Sequence, residues 1–282
     1  MVSAAARRDL LRSAVAELRA AGVASSEHDA DELLAFVLGM SRSQLLVVDE
    51  VEGHAAERFR ELVSRRALRE PLQHLTGVVG FRYVELAVGP GVFVPRPETE
   101  LLAGWAIEQL TALARPVVVD LCTGSGAIAR ALADEVPSAQ VHAVELDEGA
   151  LAWAERNLAG TSVDLRHGSM ADAFDDLDGK VDVVVCNPPY IPLDAWESVA
   201  PEARDHDPHL ALFSGDDGLD AFRILERAAR RMLRPGGVVG AEHADAQGLA
   251  APAVFTQSGH WAEVEDHRDL AGRPRFVTAR LR

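Results

Sequence analysis

Cysteine is almost absent: Cys122 and Cys186 are the only 2 in 282 residues, and neither sits in a CxxC or His–Cys spacing. Neither a disulfide framework nor a zinc site is therefore expected, and a reducing cytoplasm is the simplest compartment. No run approaches the ~20 uninterrupted apolar residues that a membrane span needs. Residues 1–21 interleave Arg7, Arg8, Asp9, Arg12, Glu17 and Arg19 with apolar positions, so they do not read as a signal peptide. Positive charge is also in short supply: 28 Lys and Arg face 44 Asp and Glu, a formal net charge of −16. A surface of that sign repels phosphate backbones, so no nucleic-acid partner is expected without a local basic patch. Internal repeats and low-complexity tracts are missing too.

What remains is an ordinary soluble composition, 48% hydrophobic and 26% charged, in a length that suggests two domains. Residues 1–71 read as a helical bundle with no strand pattern. Leu10, Leu11, Ala14, Val15 and Leu18 form one apolar stripe, ended near Gly22. Ser26 with Asp29 resembles a capping box before Leu33, Leu34, Val37 and Leu38. Ser41 caps a short helix through Leu46. A fourth helix, about 54–69, turns Phe59, Leu62, Val63 and Leu68 inward and stops before Pro71. Its Arg58, Arg60, Arg65, Arg66 and Arg69 make a basic side, read either as a solvated face or as a docking surface for an acidic partner. Residues 72–94, punctuated by Gly77, Gly80, Gly89 and Gly91, read as a β-hairpin linker. The stretch Phe93 to Glu100 then opens a helix, with Arg96 and Thr99 as candidate walls of a pocket.

Residues 95–282 form the third region, and from 116 on strands and helices alternate, the pattern of a doubly wound α/β sheet. Strands are expected at 117–121, 141–145, 163–166, 181–186 and 238–242, with two closing strands at 261–264 and 276–281. Residues 191–214 read as a long Pro- and Asp-rich loop over the site.

Two motifs carry chemistry. Gly124-Ser-Gly-Ala-Ile-Ala129 follows a strand and opens a helix, and Glu145 ends the next strand. Glycines there let the backbone approach a ligand, and the carboxylate accepts from ribose hydroxyls, which points to a nucleoside cofactor. Asp120 just before the loop suits the amino group of a methionine moiety, favouring S-adenosylmethionine over a dinucleotide. The second motif is Asn187-Pro-Pro-Tyr190, delivered by the buried strand Val181 to Cys186. Asn187 offers an amide oxygen, Pro188 and Pro189 a stiff backbone with carbonyls and no N–H, and Tyr190 an aromatic face. Such a set receives a planar group carrying an NH2. The competing reading is a proline turn with a capping Asn and a core Tyr.

Asp120-Leu-Cys-Thr-Gly-Ser-Gly126 with Asn187-Pro-Pro-Tyr190 resembles the class I methyltransferases that methylate planar nitrogen. Together with Glu70 to Gly77, Phe93 to Glu100 and the N-terminal helices, the chain closely resembles the PrmC/HemK family. These are the protein-glutamine N5-methyltransferases of class I peptide-chain release factors. The resemblance implies a Rossmann-like, seven-stranded mixed sheet with a small N-terminal helical domain that docks the release factor, and a monomer. It implies S-adenosylmethionine as cofactor and S-adenosylhomocysteine as product. Asp120, Cys122, Thr123, Gly124, Ser125, Gly126, Glu145 and Asn187 would bind the cofactor. Asn187, Pro188, Pro189 and Tyr190 would grip the acceptor, with Asn187, Pro188 and Tyr190 catalytic. Cys122 stands where the family commonly has Gly, and Met170 where some members have an aromatic residue near adenine.

A carboxamide nitrogen is a poor nucleophile because its lone pair is delocalised. The Asn187 oxygen and the Pro188 carbonyl are expected to accept its two hydrogens, turning the lone pair toward the methyl group. No metal and no covalent nucleophile are needed. His206, His209, His243 and His267 read as surface or loop histidines rather than bases. The alternative function is a nucleic-acid methyltransferase of adenine N6, cytosine N4 or guanine N2 using the same loop. A dehydrogenase and a non-catalytic cofactor sensor stand further behind.

Overall fold

The computed structural model describes residues 4–282, so the first three residues of the expected bundle lie outside the described residues. The chain divides into two compact units, one running to Val78 and including Ala200–His206, the other comprising Val79–Val199 and Asp207–Arg282. Among the described residues no helix is long and apolar enough to cross a membrane.

The first unit packs helices Arg7–Ala20, Ser26–Leu38 and Gly53–Ala67 around Leu10, Leu18, Leu33, Leu34, Phe59 and Leu62. Each of those helices repeats its apolar residues at three- and four-residue spacing, so one face can be buried. Ser41 caps the 3-10 turn Arg42–Val47, its backbone N–H bonded to the Gln44 side chain at 2.8 Å. Four expectations are corrected. Ala5–Ala6 pairs antiparallel with Glu50–Val51, a bridge too short to leave a period in the sequence. Residues 72–76 form a helical turn, Leu72–Thr76, rather than hairpin. Leu68 lies one residue past its helix and is 80% exposed. Ser25, not Ser26, precedes the second helix and donates its hydroxyl to Asp29 at 2.8 Å, and the other Asp29 oxygen accepts from Arg66 at 2.7 Å.

Four of the five arginines expected on the basic side, Arg58, Arg65, Arg66 and Arg69, are engaged in ion pairs. Arg58 pairs with Glu61, Arg65 with Glu70, and Arg66 and Arg69 both grip Glu202 in the Pro201–His206 helix. Burial pushes the Glu202 carboxyl up, but the hydrogen bonds from Arg69 and Arg66 outweigh it and hold it down at about 2. The stretch expected as a long loop thus carries a 3-10 turn Leu193–Ser198, helix Pro201–His206 and helix His209–Leu212.

The second unit is built on a seven-stranded sheet. Its strands are β1 (Val117–Leu121), β2 (Gln140–Glu145), β3 (Asp164–His167), β4 (Val181–Cys186), β5 (Leu233–Glu242), β6 (Trp261–Arg268) and β7 (Pro274–Leu281). Their order across the sheet is β6-β7-β5-β4-β1-β2-β3. The five strands from β1 to β5 run parallel, and β7 is antiparallel to both β5 and β6. Val183 and Val185 face one core with helices Thr99–Thr111 and Ala127–Glu135. Val184 and Cys186 face the other with Asp220–Met232 and Ala250–Ser258. Burial on both faces is why these strands read as continuous valine runs. β5 begins earlier than expected, because Pro235-Gly236-Gly237 is absorbed as an irregularity opposite Val181–Val183.

Register fixes what meets at one edge. Leu121 pairs with both Val144 and Cys186, and Cys186 pairs with Ala241. Cys122, Glu145, Asn187 and Glu242 therefore leave the sheet together at its C-terminal edge. Strand order reverses there between β1 and β4, the position where open α/β sheets bind ligands.

Candidate active site

The loop after β1 is tied down from within. Thr123 donates its hydroxyl to Asp120 Oδ2 at 2.6 Å, and the Ala129 N–H reaches the same oxygen at 3.1 Å. Asp120 Oδ1 is buried and has no partner. Burial, reinforced by the nearby Glu145 charge, pushes the Asp120 carboxyl up to about 7 against the pull of Thr123 and Ala129. An orphaned carboxylate oxygen beside a glycine loop matches the cation of a methionine amino group.

Gly124 has φ +59, and a Cβ there would meet nothing within 4 Å, so its outer side is open to a ligand. Gly126 has φ +82 for a different reason, since its Cβ would press on Leu158 at 3.1 Å. Thr123 and Ser125 are buried, and the Thr123 hydroxyl is spent on Asp120. Cys122 also adopts a left-handed conformation, φ +57, which explains why glycine suits that position. Its sulfur lies 3.8 Å from Met170 Sδ, so Met170 packs at the loop's base.

Glu145 differs from a freely offered carboxylate. Its Oε2 accepts from Gly124 N at 2.8 Å, and Oε1 accepts from Leu146 N and Asp147 N, each at 2.8 Å. One lone pair on Oε2 stays available to a hydroxyl. The same carboxylate thus shapes the glycine loop it was expected to serve.

After β4, Asn187 is half-buried, with its Nδ2 donating to Thr99 Oγ1 at 3.3 Å. No described residue donates to Asn187 Oδ1. Tyr190 donates its hydroxyl to Glu242 Oε1 at 3.3 Å, and Thr99 donates to Glu242 Oε2 at 2.7 Å. Burial and the Glu242 charge push the Tyr190 phenol well up, so it stays protonated. Burial pushes the Glu242 carboxyl up to about 7, with Thr99, Arg275 and Tyr190 pulling the other way. Tyr190 and Ile191 hang their backbone N–H groups on Leu212 O, pinning the loop's exit.

Arg96 pairs with Asp207 at 2.8 Å and stacks over Phe93, so it is a loop brace. Thr99 is the member of that segment that reaches Asn187. Glu242 went unnoticed in the sequence, although an acid ending a parallel strand, as Glu145 does, was the signal that marks it. His243 is a correction: it is fully buried, bonded to Ala244 O and Asp266, and burial holds its ring below the usual histidine range. His209 stacks on Trp196, and His267 on Phe276.

Comparison with known proteins identifies the family. Residues 9–77 match the PrmC N-terminal domain and residues 89–200 the methyltransferase small domain. The chain is 60% identical over 269 residues, 95% of either chain, to a release factor glutamine methyltransferase of Streptomyces coelicolor. It is 45% identical over 215 residues to a 4-amino-L-phenylalanine/4-methylamino-L-phenylalanine methyltransferase of Streptomyces pristinaespiralis, covering 74% of this chain and 73% of that one. Among solved structures, a T. thermophilus 16S rRNA N2 G1207 methyltransferase shares the fold, with TM-score 0.52 at 21% identity over 73% of this chain and 50% of that one. By its matched domains and its identity over nearly its full length, the chain belongs to the release factor glutamine methyltransferase family.

Proposed function

We propose that this protein transfers a methyl group from S-adenosylmethionine to N5 of the glutamine in the Gly-Gly-Gln motif of class I peptide-chain release factors, in the cytoplasm. The observation that carries this reading is the orientation of Asn187. Its amide nitrogen is held by Thr99, leaving Oδ1 free to accept at the sheet edge. With the Pro188 carbonyl as the second acceptor, the pair would take the two hydrogens of a carboxamide and turn its lone pair outward. They also favour the positive charge that develops on nitrogen as the N–C bond forms, and the methylated nitrogen, now strongly acidic, then releases one of its two protons to solvent. When bound, S-adenosylmethionine supplies an electrophilic methyl group, and its sulfur keeps the electron pair of the broken S–C bond.

The chain's own residues fit that cofactor. Asp120 Oδ1 would hold the methionine amino group, the open side of Gly124 its main chain, and Glu145 Oε2 a ribose hydroxyl. Docking of the release factor is assigned to the helical unit, whose Leu46, Val47 and Leu68 are largely exposed. Labelled S-adenosylmethionine with a purified class I release factor tests the reading. Label is expected on the wild-type factor and not on one with the motif glutamine changed to alanine. Free 4-aminophenylalanine belongs in the same assay, because the Streptomyces pristinaespiralis relative is named for that acceptor. Label on it alone would replace the protein substrate.

A further inference from the structure

Thr99 contacts the Asn187 amide, and Glu242 contacts Thr99. Thr99 lies at the start of helix Thr99–Thr111, and Glu242 ends β5, level with Asn187 across the β4–β5 register. Both side chains are buried, Thr99 at 4% and Glu242 at 1% exposure. The Thr99 hydroxyl has one hydrogen, and with Glu242 ionised, the form that can only accept, the 2.7 Å contact uses that hydrogen. What Thr99 has left for Asn187, 3.3 Å away, is a lone pair. A lone pair can meet only the NH2 end of the amide. The two ends of an Asn side chain are otherwise nearly the same shape, and a flipped amide would present a donor where the acceptor's own N–H groups arrive.

We propose that Thr99 and Glu242 are positioning residues for methyl transfer: the Glu242 carboxylate orients the Thr99 hydroxyl, which fixes the Asn187 amide with Oδ1 toward the substrate nitrogen. The same carboxylate holds the Tyr190 hydroxyl through its other oxygen, so one buried acid sets both ends of the Asn-Pro-Pro-Tyr loop. This inference rests on the carboxamide reading of the site and names residues outside both motifs.

Thr99→Val keeps the shape and deletes the hydroxyl, whereas Thr99→Ser keeps the hydroxyl. With saturating release factor, kcat should fall at least tenfold in Thr99→Val and stay within about threefold of wild type in Thr99→Ser. Affinity for S-adenosylmethionine should stay within about twofold in both, showing that the fold and the cofactor loop persist. Wild-type kcat in Thr99→Val, or equal losses in both variants, would overturn the proposal. A second readout needs no substrate: the side-chain amide signals of Asn187 in a nitrogen-15 spectrum, assigned with Asn187→Ala. They should move in Thr99→Val and hold in Thr99→Ser, and signals unmoved by Thr99→Val would equally overturn it. If wild-type enzyme labels no release factor, the protein substrate is wrong, and the spectrum alone decides the role of Thr99.

Discussion

Asn187 owes its role to what its neighbours leave free. Removing its oxygen should leave cofactor binding intact while depriving the developing positive charge of an acceptor. Asn187→Ala is therefore expected to lower kcat by two to three orders of magnitude, on the scale of deleting one preorganised hydrogen bond at a reacting centre. Binding of S-adenosylmethionine, measured by calorimetry, should change little, and an unchanged kcat would remove Asn187 from the mechanism. Cys122 is the opposite kind of residue, carrying a cost without a visible chemical return. An L-residue in the left-handed region is disfavoured by about 1 kcal/mol, which glycine escapes. Cys122→Gly should raise stability by up to about 1 kcal/mol in urea titrations, less whatever contact with Met170 is lost.

At the scale of elements, the tie between the third helix and Pro201–His206 depends on charges that cannot be left alone. Arg66 is 7% exposed and donates to Asp29 and Glu202, while Asp29 is itself 3% exposed. Arg66→Met would strand a buried carboxylate, a change that costs about 3–5 kcal/mol. Arg58→Met, which breaks an exposed pair with Glu61, should cost under about 1 kcal/mol. Chemical denaturation of the full chain compares the two, and similar losses would show that the buried cluster contributes no more than a surface pair. Because Glu202 is held at about 2, its contribution is present above the ordinary glutamate range near 4.5 and is lost only as pH falls toward 2. The arginines of this helix were legible from sequence only as a basic stripe. Their partners lie far along the chain, and burial decided which of them are structural.

For the molecule as a whole, the site carries an electrostatic burden. Asp120 and Glu242 are fully buried carboxyls, each raised to about 7 mainly by loss of solvent. A carboxyl whose folded pKa is raised binds its proton more tightly in the native state, so it favours folding fully below pH ~4. That contribution, on the order of 3 kcal/mol per group, is lost as pH rises from about 4 to 7 and stays lost above. Glu242→Gln carries no such charge. Its stability relative to wild type should climb between pH 4.5 and 7 and level off beyond, and a pH-independent difference would show that Glu242 is not strained by burial.

The sequence by itself determined the sheet, the glycine loop and the Asn-Pro-Pro-Tyr loop. Each depends on local chemistry: buried valine runs, backbone that must take positive φ, and prolines that stop a strand. It also displayed Glu145, because an acid ending the second strand of such a unit has a known place. What the tertiary structure alone decided was the use of each polar atom. Glu242 and Thr99 lie 143 positions apart, and only the β4–β5 register and the helix before β1 bring them to Asn187. The same folding turned Thr123 inward, buried His243, and gave Arg66 to Asp29. A residue's type is written in the chain, but its hydrogen-bond partner is set by which strand ends share an edge, and that is fixed only when the sheet closes.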